Sequence, residues 1–216
     1  MFEEIRIVDP LRWTVLAAGA ASLTALAFRA RWATAFGGPK VSAPARGSAG
    51  RGIAYALGRG LLPWEKESAR RHLATYIGGI IYHTGVFCAF VVLGAIVAGI
   101  SLPRPLIFLL RVGLAAGFAS GLGLLVKRAA LPLARALSRF GDYAANFLVD
   151  IFVALALAAA LDPRPTIPFM ALSVILFLYI PLGKIRHCLF FFRSRIKFGR
   201  LLGRRGVLPP GAASAN

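Results

Sequence analysis

Residues 73–100, LATYIGGIIYHTGVFCAFVVLGAIVAGI, run for 28 residues without an Asp, Glu, Lys or Arg. As a helix rising 1.5 Å per residue, such a run is about 42 Å long, more than the ~30 Å of hydrocarbon in a bilayer. Four more apolar segments accompany it: Leu11 to Phe28, Pro105 to Val126, Tyr143 to Leu161 and Ile167 to Ile180, the last extending through Cys188 to Phe192. With 58% hydrophobic residues, 16% charged residues and a mean hydropathy of +0.71, the whole chain is more apolar than a soluble domain. The pattern predicts an all-α integral membrane protein, a bundle of five transmembrane helices.

A net charge of +18 points to nucleic acid only until the 26 Lys and Arg are placed. Segments 29–72, 127–141 and 184–205 carry 9, 4 and 8 of them, while the opposite side keeps Arg6, Arg12, Arg104 and Arg164, and Arg111 lies inside a helix. Basic residues concentrate in cytoplasmic loops, so the pattern predicts the N-terminus outside, the C-terminus cytoplasmic, and a bacterial-type inner membrane. It makes nucleic-acid binding unnecessary. The opening MFEEIRIVDP is acidic, which predicts a retained first helix rather than a cleaved signal.

The organisation read from these boundaries is an N-terminal segment with the first helix (1–28), a basic cytoplasmic loop (29–72), a four-helix membrane core (73–192) and a basic tail (193–216). Within the loop, GGPKVSAPARGSAGRG reads as irregular. LLPWEKESARRH reads as the start of the second helix ahead of the membrane, with Pro63 at a first helical position and Glu65 and Glu67 near the positive helix end. Cys88 and Cys188 stand singly, so neither an iron–sulfur nor a zinc framework is encoded.

The chemistry-bearing residues are three histidines, His72, His83 and His187. Imidazole is an axial ligand for haem iron, and a membrane b-type haem takes one from each of two helices. Measured along continuous helices from their outer ends, His83 lies ~25 Å deep, His187 ~30 Å and His72 ~42 Å, which pairs His83 with His187 and leaves His72 as the alternative ligand beside Arg70 and Arg71. Gly79, one turn before His83, is small enough to admit a flat macrocycle or another helix. The same spacing also suits histidines that hydrogen-bond neighbouring helices, in a haem-free transporter or assembly scaffold with packing or proton-relay histidines.

The segments YHTGVFCAFVVLG and FLYIPLGKIRHCLF, separated by LLVKRAALPLARALSRFGD, resemble the gamma subunit of respiratory nitrate reductase and related membrane subunits of sulfate-reducer electron-transfer complexes. The resemblance covers roughly residues 73–200. It implies a five-helix cytochrome b with the N-terminus outside, in which His83 and His187 ligate a cytoplasm-proximal haem b; Gly79 and Lys184 are read from the sequence as its surroundings. It also implies electron exchange between quinone and cytoplasmic iron–sulfur or catalytic subunits. An outer haem in that family needs a second histidine on each ligand helix, and the matching positions here are about Leu93 and Phe169, beside Met170. One haem is therefore expected.

Two charges remain inside helices, Arg111 and Asp150. They read either as a mutual ion pair or as groups handling protons or quinone, and Asp142, Asn146 and Asp150 line one helix face at intervals of four. The basic tail, with eight positive charges from Lys184 to Arg205, reads as a flank for anionic lipid and as a docking surface for an acidic partner through Arg193, Arg195 and Lys197. With no substrate-binding domain of its own, the chain reads as the electron-transfer subunit of a quinone-linked respiratory oxidoreductase.

Overall fold

A computed structural model describes residues 2–35 and 44–209. Expectations for 37–43 of the Gly/Pro-rich stretch and for 210–216 lie outside the described residues. Every regular element among the described residues is helical: α1 Phe2–Ala35, α2 Ala49–Leu57, α3 Glu67–Arg71, α4 Leu73–Ala98, α5 Arg104–Ala130, α6 Pro132–Leu137, α7 Phe140–Leu161, α8 Thr166–Tyr179 and α9 His187–Arg204. Residues Asp9–Ala35 of α1, and α4, α5 and α7, are long and apolar enough to cross a membrane, and α8 with Lys184–Arg204 makes a fifth span if that broken pair counts as one. Large apolar side chains such as Trp13, Leu23, Ile80, Phe87, Phe108 and Phe147 are exposed, which hydrocarbon accommodates and water does not. The chain is a multi-pass membrane protein.

The fold divides into two compact units, Met1–Ala25 with Ala74–Ile185, and Leu26–Leu73 with Arg186–Asn216. In the first, α4 and α5 meet through glycine. A methyl group added at Gly85 would lie 2.6 Å from the Gly117 Cα, so only bare backbone fits there. Ser120 donates to the Gly78 carbonyl at 2.7 Å beside this contact. Around it, Ala89, Leu93, Leu114, Phe152, Val153, Phe169, Met170 and Leu176 form the core, with the Phe152 ring 5.1 Å from Phe90 and 5.3 Å from Phe169.

The second unit rests on a similar device. Gly52 and Ala56 of α2 face Gly199 and Gly203 of α9, and a methyl at Gly52 would lie 2.1 Å from the Gly199 carbonyl oxygen. The small residues recur every four positions on both helices, which lets the backbones touch. Ser48 caps α2 by accepting from the Arg51 N–H, and the Arg46 N–H donates to the Arg204 carbonyl at 2.9 Å. The basic loop thus contains an ordered helix from Ala49 onward, although its composition reads as irregular; the glycines serve packing rather than flexibility.

Two further helices differ from expectation. The second span is not continuous with the segment before it: Pro63 opens a single 3-10 turn, Pro63–Glu65, α3 follows, and His72 leaves helical geometry with φ −129° and ψ 44° before α4 begins. The fifth apolar segment breaks after Tyr179, where Pro181 lacks the N–H that would continue the helix. Gly183 closes the turn by donating to the Tyr179 carbonyl at 2.7 Å, and a side chain there would strike the Tyr179 ring at 2.3 Å.

Candidate functional site

His83 occupies the middle of the charge-free α4 and is exposed. Its Nδ1 lies 2.6 Å from the carbonyl oxygen of Gly79, one turn back. A carbonyl only accepts, so Nδ1 carries the hydrogen and donates. Gly79 thus fixes the tautomer through its backbone, while a methyl added to it would meet nothing within 4 Å.

His187 is the first residue of α9, directly after the break, and is exposed. Its depth along one unbroken fifth helix therefore does not apply, and neither does a depth for His72 along α4, because His72 ends α3 instead of belonging to α4. His72 and His187 belong to the second compact unit, His83 and Gly79 to the first. Lys184, also in the first, pairs with Asp142 at 3.6 Å. Leu93, Phe169 and Met170 are buried in the core.

The intramembrane charges do not meet as a pair. Arg111 of α5 donates from Nε to the Ala160 carbonyl at 2.9 Å, and from its terminal nitrogen to the same oxygen. Ala160 lies in the last turn of α7, whose carbonyls lack partners within the helix, so the guanidinium acts as a cap supplied from another helix. Among the described residues no ion pair joins Arg111 to Asp150.

Asp150 is 2% exposed and sits in a polar cluster built from three helices. Asn146 Nδ2 donates to Asp150 Oδ2 at 2.9 Å and lies 3.3 Å from the Tyr82 hydroxyl, which in turn donates to the Asn146 carbonyl at 3.3 Å. The other carboxyl oxygen, Oδ1, is buried without a hydrogen-bond partner. It fits because position 121 on α5 is glycine: a methyl there would lie 2.2 Å from Oδ1 and 2.5 Å from the Tyr82 ring. The stripe on α7 is legible in the sequence; Tyr82 and Gly121 are not, since they join it from α4 and α5. At the other end of the stripe, Asp142 Oδ2 accepts from the Arg139 N–H at 2.9 Å.

The tail arginines turn inward. Arg195 donates to the Ala56 carbonyl at 3.0 Å and to that of Gly60 at 2.6 Å, and Arg193 donates to the Ala30 carbonyl. Lys197, Arg200, Arg204 and Arg205 are the exposed cations of this helix and its end. Among the described residues, no three His, Cys, Asp or Glu gather as a metal-ion site. Comparison with family models, curated proteins and solved structures found no match to this chain.

Proposed function

We propose that this chain is a membrane-anchored b-type cytochrome subunit, similar to the gamma subunit of respiratory nitrate reductase, that passes electrons between the quinone pool and a cytoplasmic iron–sulfur or catalytic partner. The observation that carries the reading is the His83 imidazole. Its Nδ1 lies 2.6 Å from the Gly79 carbonyl, the kind of contact by which backbone carbonyls orient metal-ligating histidines. The donor chemistry fits haem iron. When bound, haem supplies one-electron transfer; His83 and His187 would hold it, Gly79 sets the His83 ring, and Lys184 lies three residues before His187.

The pairing of His83 with His187 comes from the sequence and its resemblance. The N-out, C-in orientation and the bacterial-type inner membrane come from the distribution of Lys and Arg. A single haem is favoured by the burial of Leu93, Phe169 and Met170, which leaves those positions to packing.

The test is the dithionite-reduced absorption spectrum of protein purified after expression with ample haem. Wild type and His72→Ala show a b-type α band, whereas His83→Ala and His187→Ala lose it. Absence of the band in wild type would instead support a haem-free transporter or scaffold. Loss in His72→Ala with retention in His83→Ala would reverse the ligand assignment.

A further inference from the structure

Asp150 is not among the ligands proposed for haem, yet it is an ionisable group buried deep in a membrane bundle. An ionised carboxylate in such a place needs a cation or a full set of donors. It has neither. The groups that face it are Asn146 on its own helix, Tyr82 on α4 and the bare backbone of Gly121 on α5. Tyr82 is the titratable one among them. Arg111, the cation within a neighbouring helix, is bound to the Ala160 carbonyl ten residues further along α7, about 15 Å away along the axis. Lys184 is paired with Asp142, eight residues and about 12 Å in the other direction. The Asn146 amide donates to Oδ2 and the Tyr82 hydroxyl faces the carboxyl, while Oδ1 is buried without a close donor.

We infer that Asp150 is a proton-binding site, a carboxylic acid held neutral between α4, α5 and α7 that exchanges its proton toward the Asp142 end of α7. Three features fit this role together. Gly121 provides the space that Oδ1 occupies. Asn146 and the Tyr82 hydroxyl form a hydrogen-bonded group on the Asp142 side of Asp150, in which the hydroxyl, donor and acceptor at once, can take a proton as it gives up its own, and the amide, a donor only at nitrogen, orients it. Asp142, one helical turn beyond Asn146, has a side chain 22% exposed and stands where the polar face reaches the helix end. The ligand is the proton itself, and the site stands whether or not the chain carries haem.

Infrared spectroscopy of the full-length protein in lipid at neutral pH tests this directly, because a protonated carboxyl has a C=O stretch that carboxylates lack. The expected result is one such band, displaced by isotopic labelling of aspartate with carbon-13 at the carboxyl, lost in Asp150→Asn and retained in Asp142→Asn. On transfer of the folded protein to D2O the band shifts, and the shift is slower in Asn146→Leu. Labelling wild-type protein keeps the test decisive even if Asp150→Asn does not fold. No band, a band unmoved by aspartate labelling, or one that survives Asp150→Asn would overturn the site. A band that never shifts in D2O would overturn the exchange.

Discussion

Gly117 to Ala is the smallest change that tests how the first unit is held together. A methyl group at position 117 would lie 2.5 Å from the Gly85 Cα and 3.0 Å from the Gly85 nitrogen. Ordinary contact begins near 3.4 Å, so the new carbon falls short by 3.4 − 2.5 = 0.9 Å. Both obstructing atoms are backbone, and no rotamer relieves them. Helices α4 and α5 must separate by about that distance, which also stretches the 2.7 Å bond from Ser120 to the Gly78 carbonyl. Overpacking of this kind costs about 1–3 kcal/mol, and the contact between two backbones places it in the upper half of that range. Against it stands the gain from replacing an interior helical glycine with alanine, at most ~1 kcal/mol. The net expectation is a loss of about 1–2 kcal/mol.

Gly123, six residues along the same helix, supplies the control, since a methyl there meets nothing within 4 Å. Gly123→Ala keeps the propensity gain without the clash, so the two variants should differ by about 2–3 kcal/mol. The assay is unfolding by SDS in lipid–detergent micelles, followed by circular dichroism. A Gly117→Ala protein as resistant as Gly123→Ala would refute the glycine contact between α4 and α5.

Two other expectations concern the second unit. Glu65 accepts from the Tyr55 hydroxyl at 2.6 Å and from Arg59 Nε at 2.7 Å, and these bonds, Tyr55 first, hold its carboxyl below the usual carboxylate range. Because the folded value is the lower one, the stabilisation is present above the ordinary carboxylate range and lost as pH falls through the depressed value; hydrogen-exchange protection of the Leu61, Leu62, Glu65 and Lys66 amides should fall in acid, and Glu65→Gln should remove that pH dependence. Arg195→Ser removes two charge-assisted bonds to the Ala56 and Gly60 carbonyls, each worth about 1.5–3 kcal/mol, and should lower thermal stability, whereas Lys197→Ser on the exposed side should change it by less than about 0.5 kcal/mol; equal effects would deny Arg195 its packing role.

The spans were legible because hydrophobic length is a local property: 28 residues without a charge identify α4 wherever they are read. The ends of helices were less so. IPLGKIR contains its own stop in Pro181 and Gly183, but an apolar continuation through Cys188 to Phe192 masks it, because hydropathy does not register a missing N–H. The helix α2 was hidden for the opposite reason. Its AGRGIAYAL has the small residues of a linker, and what makes them a packing face is a second small-residue stripe on α9, 147 residues away from Gly52 to Gly199.

The charged residues show most clearly where sequence reasoning meets its boundary. Arg111 and Asp150, two opposite charges inside apolar helices, invite a salt bridge on paper. Removing two charges from water recovers little even when they meet, and each has a cheaper solution in this fold. The guanidinium needs acceptors, and the last turn of a helix is a ready supply of unpaired carbonyls: Arg111 uses Ala160 at the end of α7, and Arg195 uses Ala56 at the end of α2 in the same way. That choice spends the intramembrane cation at one end of α7 and leaves the carboxyl ten residues earlier to Asn146, Tyr82 and the space at Gly121. In the tail, the same preference turns Arg193 and Arg195 onto carbonyls of other helices and leaves Lys197, Arg200, Arg204 and Arg205 exposed. Counting cations thus predicts which side of a membrane a segment prefers, while their work within a unit depends on which helix ends the fold brings beside them.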